Sequence, residues 1–325
     1  MAAVSSMARP LTVVVSDESI LPEICGANDG NLRVIEELLG VRVFSRGNEI
    51  ILDTDDEALG RSFTGLLRQL EDHIRLGQLP GPDLIRSIHG SLAGGDTDRA
   101  EFLKRTVVAI PNGFRTVYPR TYNQASYLQS IERSELSFGV GPAGTGKTYL
   151  AVAQALRQVL TQVRRKLIIT RPVVEAGESL GYLPGDLEQK IHPYLRPLYD
   201  AIESLVPGET FRRLEENGVI EIAPLAYMRG RTLSGAFIIL DEAQNTTREQ
   251  MKMFLTRIGE NSRTVVTGDI TQIDLPRKTN SGLLSVIPIL RPIREIRFTF
   301  FEEQDIVRHP LVRKIVHAYE TAHEE

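Results

Sequence analysis

The stretch that decides the fold is Gly141-Pro142-Ala143-Gly144-Thr145-Gly146-Lys147-Thr148. It fits the pattern GxxxxGK[ST] and lies between an apolar, strand-like segment at residues 135–140 and an alanine-rich, helix-like segment that begins at Lys147. Glycines in such a loop allow successive backbone N–H groups to converge on phosphate oxygens, and the N-terminus of the following helix adds partial positive charge. A strand, a glycine loop and a helix in this order predict a site that binds a nucleoside triphosphate through all eight residues of the loop.

The two residues that end the loop have predicted roles of their own. Lys147 is expected to reach the β- and γ-phosphates, and the hydroxyl of Thr148 is expected to ligate Mg²⁺. The alternative is a glycine-rich turn followed by a surface lysine. The flanking strand and helix favour the phosphate-binding interpretation, so ATP and Mg²⁺ are the expected ligands.

Polar residues also follow two other strand-like segments. Asp241 and Glu242 end the apolar segment at 236–240. Asp241 is predicted to hold Mg²⁺, and Glu242 to polarise the water that attacks the γ-phosphate. Gln272 is predicted to report the state of the γ-phosphate, with Asp269 supporting that geometry. An ordinary solvated turn is the alternative at both places.

The second part of the chain alternates strand-like and helix-like segments. The strand-like segments lie at residues 135–140, 166–170, 219–223, 236–240, 263–267 and 295–300. This alternation predicts an α/β fold with a parallel sheet covered by helices on both faces. Because segments 166–170 and 219–223 both lie between the loop and Asp241, we expect at least one extra strand between the loop strand and the Asp241 strand. That arrangement is typical of hydrolytic rather than kinase-type P-loop folds.

The first part of the chain is predicted to be a separate, small α+β domain. Residues 1–78 show strand-like and helix-like patterns in the order βααββα. Residues 79–106 contain Pro80-Gly81-Pro82 and Gly94-Gly95 and are predicted to be a linker. The loop and the acidic pair then belong to a second domain at residues 107–325.

The small domain resembles a KH-type RNA-binding domain. The phrase that carries the resemblance, with the βααββα order, is Ile24-Cys25-Gly26-Ala27-Asn28-Asp29-Gly30-Asn31-Leu32. In that family a GxxG loop between two helices clamps a short run of nucleotides. Here the second glycine position falls on Asp29, whose negative charge would repel phosphate. A KH-like scaffold used for packing or assembly is therefore the alternative to RNA binding.

The second domain resembles two related groups of proteins. Residues 241–245 and 268–272 are similar to motifs II and III of superfamily 1 helicases. More specifically, the chain resembles the PhoH-like family of bacterial P-loop ATPases, through residues 119–124, 169–172, 180–186, 193–197, 228–232 and 307–312. This resemblance implies a RecA-like P-loop NTPase fold, cytoplasmic ATP binding and hydrolysis, and a role in RNA metabolism.

One further residue role comes from the helicase resemblance alone. Gln124 lies just upstream of the first strand of the second domain, as does the helicase glutamine that reads the adenine edge. The resemblance therefore implies that Gln124 contacts the base of the nucleotide. An ordinary glutamine on a helix surface is the alternative.

The expected assembly follows from a comparison with the helicases, which take an arginine from a second lobe. Only residues 273–325 follow Gln272, and 53 residues are too few for a lobe of ordinary domain size. We therefore expect a homo-oligomeric ring, with a hexamer as the expected form, in which a neighbouring subunit supplies the arginine. The candidates are Arg229, Arg231 and Arg308, because a planar guanidinium suits the charge on the γ-phosphoryl oxygens. For Arg308, a local helix ion pair is the alternative.

Composition excludes several classes of protein. The 325 residues suit two globular domains, and no apolar run approaches the 18 residues of a membrane-spanning helix. The first ten residues do not resemble a signal peptide, and the single cysteine suits a reducing cytoplasm. A net charge of −4 means that RNA binding requires local basic patches. Candidate patches lie at residues 164–166, 212–213 and 229–231, with Arg171 and Tyr182 as further candidate contacts, and simple solvation of these basic residues is the alternative.

The function that the sequence favours is a cytoplasmic, Mg²⁺-dependent ATPase that couples ATP hydrolysis to RNA binding or remodelling in a ring. One alternative is a nucleotide-gated adaptor that presents a surface to an RNA-processing protein without unwinding RNA. A phosphotransferase is a third possibility, and the Asp241–Glu242 pair argues against it.

Overall fold

The computed structural model describes residues 10–75, 80–93, 102–103, 105–172, 187–277 and 281–307. The chain forms two compact units, Met1–Val107 with Tyr118–Tyr122, and Val108–Val117 with Asn123–Glu325. None of the described helices is both long enough and apolar enough to cross a membrane.

The first unit contains a three-stranded antiparallel sheet and helices packed against it. Its elements are β1 (Leu11–Val14), α1 (Leu21–Cys25), α2 (Gly30–Leu39), β2 (Val43–Arg46), β3 (Glu49–Leu52) and α3 (Glu57–Arg75). The spatial strand order is β1-β3-β2, so β3 is central. Apolar residues of α3 such as Phe63 and Leu70 are fully buried against this sheet and its helices. The predicted order βααββα and the predicted small α+β domain are confirmed.

The predicted linker contains a helix, α4 (Pro82–Ala93). Leu84, Ile85 and Ile88 are buried in the same hydrophobic core as α3, because their spacing places them on one face of the helix. Pro82 occupies the first helical position, where its missing N–H costs no hydrogen bond. The proline and glycine signals at residues 80–82 therefore mark the start of a packed helix within the segment predicted as a linker.

The second unit is built on a six-stranded parallel sheet. Its strands are β6 (Leu136–Val140), β7 (Lys166–Arg171), β8 (Ile220–Pro224), β9 (Ala236–Leu240), β10 (Arg263–Gly268) and β11 (Ile296–Phe300). The helices are α5 (Tyr122–Arg133), α6 (Lys147–Leu160), α7 (Leu187–Glu203), α8 (Gly208–Glu216), α9 (Arg248–Leu255) and α10 (Gly282–Leu290). A short pair, β4 (Val108–Ala109) and β5 (Thr116–Val117), forms a separate two-stranded sheet.

Both faces of the parallel sheet are covered. Successive side chains of a strand point to opposite faces, and β9 shows the result. Phe237 and Ile239 are buried in one hydrophobic cluster with residues of α5 to α8, whereas Ile238 and Leu240 are buried in another with residues of α9 and α10. This arrangement confirms the predicted RecA-like α/β fold.

The strand order confirms that an extra strand separates the loop strand from the Asp241 strand, but the separating strand is not one of those expected. The sheet has the order β11-β6-β10-β9-β7-β8, so one strand does separate the loop strand β6 from the Asp241 strand β9. That strand is β10, which follows both of them in sequence, and not β7 or β8, from which the separation was predicted. Position along the chain does not fix position in a sheet, because helical crossovers allow a later strand to insert between two earlier ones.

Candidate active site

Most of the predicted site residues meet at the carboxyl ends of three adjacent strands. A cleft of about 250 Å³ lies where β6, β10 and β9 end. Its lining includes Lys147, Thr148, Asp241, Glu242 and Gln272. In open α/β sheets, ligands bind outside the carboxyl ends of the strands, and this cleft has that location.

The second half of the glycine loop turns its carbonyl groups outward. Three successive carbonyls accept hydrogen bonds from outside the loop: Gly144 O from Val307 N at 2.9 Å, Thr145 O from Gln124 Nε2 at 3.0 Å, and Gly146 O from Leu150 N at 2.9 Å. Because a trans peptide places C=O and N–H on opposite sides, the N–H groups of Thr145, Gly146 and Lys147 point away from these donors. The loop therefore offers main-chain donors, as phosphate binding requires.

Glycine is required where the loop leaves β6. Gly141 has φ +151°, and a Cβ atom at this position would lie 2.5 Å from the carbonyl oxygen of Phe301. Phe301 immediately follows β11, and its N–H donates to Val140 O at 2.7 Å. The segment after β11 therefore packs directly against the start of the loop, and a side chain at residue 141 would displace it.

Lys147 lies over the loop. Its Nζ donates to the carbonyl oxygens of Gly141 and Pro142, both at 2.7 Å, and the residue is only 8% exposed. Burial lowers the pKa of the Lys147 ammonium, and the nearby carboxylates of Asp269, Glu242 and Asp241 oppose that shift. This places one cation beside the loop amides, where the β- and γ-phosphates of a bound nucleotide are expected.

Thr148 and Asp241 bring together two side-chain oxygen atoms that could ligate a metal ion. The Thr148 hydroxyl donates to Asp241 Oδ1 at 2.6 Å, and the Thr267 hydroxyl donates to the same oxygen at 2.6 Å. Within the described ranges, no group of three or more His, Cys, Asp or Glu side chains is placed to hold a metal. Mg²⁺ is usually bound by one or two carboxylates together with substrate phosphates rather than by a cage of protein ligands. The Thr148–Asp241 pair fits such a site.

Both carboxylate oxygens of Glu242 contact a neighbouring polar side chain. Its backbone is left-handed, with φ +52°, which directs its side chain differently from that of Asp241. Oε2 accepts a hydrogen bond from Gln244 Nε2 at 2.5 Å, and Oε1 lies 3.1 Å from a terminal nitrogen of Arg171. Burial raises the pKa of Glu242, Asp241 raises it further, and Gln244, Arg171 and Lys147 oppose the rise.

Gln244 connects Glu242 to the next strand, a role that the pattern of residue types does not predict. The side chain is 1% exposed, and its Oε1 accepts a hydrogen bond from Asp269 N at 3.0 Å. Asp269 in turn accepts from Ala143 N at 3.1 Å through Oδ2, and from the Thr271 N–H and hydroxyl through Oδ1. Asp269 therefore joins the end of β10 to the glycine loop, and its support of Gln272 as a sensor of the γ-phosphate stays a prediction.

The two glutamines predicted to contact the nucleotide differ in their exposure. Gln272 is exposed at the cleft, and its N–H donates to Asp269 O at 3.1 Å. Gln124, on α5, is 4% exposed and its side-chain amide contacts the loop carbonyl of Thr145, so it is not a surface glutamine. Its role toward an adenine base stays a prediction.

The three arginines that are candidates for action in a neighbouring subunit differ in their exposure and pairing. Arg231 forms a bidentate ion pair with Glu221 on β8, at 2.5 and 2.8 Å. Arg229 is exposed. Arg308 lies outside the described residues, as does Tyr182, one of the predicted RNA contacts.

We expect Gln244→Ala to lower the free energy of unfolding by about 1–3 kcal/mol, because it leaves the buried N–H of Asp269 without its acceptor and Oε2 of Glu242 without its donor. Urea denaturation followed by circular dichroism measures this change. Gln304→Ala is the matched control, since Gln304 is exposed and donates to an exposed carboxylate. It should change stability by no more than about 0.5 kcal/mol. Equal effects of the two substitutions would contradict the linking role of Gln244.

Comparison with known proteins identifies the family. The family described as PhoH-like protein matches residues 116–320, which is more than half of the chain. A PhoH-like protein of Mycobacterium bovis is 48% identical over 299 residues, covering 91% of this chain and 84% of that protein. A PhoH-like protein of Bacillus subtilis is 44% identical over 305 residues, covering 94% of each.

Two further similarities cover less of the chain. Protein PhoH of Escherichia coli K12 is 45% identical over 206 residues, covering 62% of this chain and 58% of that protein. A solved SWI2/SNF2 ATPase core of Sulfolobus solfataricus, in complex with double-stranded DNA, is 13% identical with a TM-score of 0.35, covering 61% of this chain and 48% of that one. That last likeness is too remote to bear on function. On the strength of the family match and of the relatives that align along nearly its whole length, the chain belongs to the PhoH-like protein family.

Proposed function

We propose that this protein is a Mg²⁺-dependent ATPase. The observation that carries the proposal is the convergence of three parts in one cleft: the main-chain donors of the glycine loop, the Thr148–Asp241 pair, and the carboxylate of Glu242. A loop without the acidic pair would support nucleotide binding alone. The acidic pair adds a metal ligand and a base, which are the additional groups that hydrolysis requires.

The roles of the residues follow from their positions. The loop amides and Lys147 bind the β- and γ-phosphates, and Thr148 with Asp241 holds the metal. When bound, Mg²⁺ neutralises charge on the β- and γ-phosphate oxygens. Glu242 accepts a proton from a water molecule while the water oxygen bonds to the γ-phosphorus and the bond to the ADP oxygen breaks. Gln272, exposed at the mouth of the cleft, contacts the γ-phosphate or that water.

We expect Glu242→Gln to lower kcat about 10²–10⁴-fold with little change in ATP affinity, because the amide keeps the size of the side chain and cannot accept the proton. Steady-state phosphate release and calorimetry with ATP and Mg²⁺ measure the two quantities. Lys147→Ala is the companion variant, and it should weaken ATP binding itself. If the wild-type protein takes up no adenine nucleotide in the presence of Mg²⁺, the proposed function is wrong.

RNA is the proposed partner of the ATPase. In the first unit, Gly26, Asn28 and Asp29 have positive φ and lie between α1 and α2, where a KH-type domain carries its GxxG loop. In the second unit, Arg165, Lys166 and Arg212 are exposed and available to a phosphate backbone, whereas the exposed Arg213 pairs with Glu209. A nucleotide-gated adaptor for an RNA-processing protein is the second candidate, and it is favoured by the exposed negative charge of Asp29 at the KH-type loop.

Single-stranded RNA distinguishes these two candidates. If ATP hydrolysis is coupled to RNA, we expect a ribo-oligonucleotide to raise kcat several-fold at low salt, and the stimulation to fall as salt rises, because phosphate contacts release counterions. The measurement is phosphate release with and without RNA across a salt series, and a DNA oligonucleotide of the same sequence is the control. Slow turnover that RNA leaves unchanged would support the adaptor instead.

The active form is proposed to be a homo-oligomeric ring, with a hexamer as the expected size, located in the cytoplasm. Among the described residues that line the cleft, the only cation is Lys147. A planar guanidinium supplied by a neighbouring subunit would complement the charge that develops on the γ-phosphoryl group. Arg229 is the first candidate for this role since it is exposed, whereas the guanidinium of Arg231 is already bound to Glu221.

Mixed oligomers test this assignment. Lys147→Ala and Arg229→Ala subunits should each be about 10³-fold or more less active alone, and mixing them should recover part of the wild-type rate, because some sites then combine an intact loop with an intact arginine. Arg231→Ala and Arg308→Ala subunits are mixed in the same way, which identifies the residue that acts. Sedimentation velocity gives the assembly size. A monomer with full activity would contradict the ring.

A further inference from the structure

Arg171 ends β7, beside the strand that carries Glu242, and it bridges two separate elements. One terminal nitrogen lies 3.1 Å from Glu242 Oε1, and the other donates to the backbone carbonyl of Tyr194 in α7 at 3.0 Å. Its side chain is 22% exposed, so it lies at the edge of the protein interior rather than out in solvent. Neither bond is expected of an arginine whose only role is to contact RNA.

The other end of this bridge is fixed by packing. The carbonyl that Arg171 contacts belongs to Tyr194, and the side chains of Leu195 and Leu198, which follow it in α7, are buried in the core of the second unit. The guanidinium is planar and presents its N–H groups in a rigid fork. Because α7 holds one side of the fork, the other side is directed at Glu242.

Glu242 in turn needs support from outside its own strand. Its left-handed backbone departs from the extended path of β9, so the strand alone does not set the direction of the carboxylate. Gln244 holds Oε2 from one side and Arg171 holds Oε1 from the other. A carboxylate that is bonded on both oxygens by groups with fixed positions has lost the freedom to rotate out of the cleft.

We propose that Arg171 is a positioning residue for ATP hydrolysis: it orients the Glu242 carboxylate toward the attacking water by anchoring it to the backbone of α7. This inference rests on the proposed ATPase function. It assigns the arginine of β7, a candidate RNA contact from the sequence, to the hydrolytic site instead.

The first test separates kcat from KM in the absence of RNA. Arg171→Gln should lower kcat about 10–100-fold, the range found when a supporting residue of a functional site is lost, and leave KM for ATP within about twofold. Arg171→Lys should recover part of the rate, since it keeps the charge without the fork. Arg196→Gln is the matched control on α7, where Arg196 pairs with Asp200 on the surface, and it should leave both constants unchanged.

The second test does not depend on activity. Urea midpoints are measured for Arg171→Gln, Glu242→Ala and the double variant. If the two side chains are coupled, the urea midpoint of the double variant falls by less than the sum of the decreases in the two single variants. Additive decreases in the urea midpoint, or a kcat of Arg171→Gln within twofold of wild type, would overturn the positioning role. If the wild-type protein hydrolyses no ATP, the proposed function fails by itself, and the urea midpoints still decide whether Arg171 holds Glu242.

Discussion

The site depends on the parallel pairing of β10 with both β6 and β9. Gly268 pairs with Val140 on one side, and Val266 pairs with Leu240 on the other. This register ends the three strands at nearly the same level, so the glycine loop, the acidic pair and Asp269 emerge side by side. A shift of one residue in either ladder would exchange the side chains that pack against the two helix layers, for example Ile239 with Leu240 on β9.

Local chemistry was predictable from the sequence, and long-range geometry was not. The loop from Gly141 to Thr148 is defined by residue types at fixed spacing, so its strand, turn and helix follow from neighbouring residues alone. The insertion of β10 between β6 and β9 depends on crossovers of the whole chain. The role of Gln244 depends on that insertion, because its acceptor oxygen bonds to the residue that follows β10. Helix α4 was missed for a local reason, since Pro82 can begin a helix as readily as it can mark a linker.

Buried polar groups give the cleft its rigidity. Asp241, Gln244 and Asp269 are each at most 6% exposed, and each is hydrogen-bonded to another strand or to the loop. An unpaired group in such a position would cost about 1–3 kcal/mol, so alternative arrangements of these side chains are disfavoured. The protein therefore holds its donors and carboxylates in place before a ligand arrives, which is the form of preorganisation that electrostatic catalysis uses.

The charge of the cleft explains why the proposed reaction requires a metal. Asp241, Glu242 and Asp269 act electrostatically on Lys147, and Arg171 adds a second cation beside Glu242. The three carboxyl groups outnumber the two basic side chains, and a triphosphate brings several more negative charges. Loop amides contribute only partial positive charge, so a polyanion would bind poorly by itself. A divalent cation held by Thr148 and Asp241 would change this balance by adding two positive charges to the cleft.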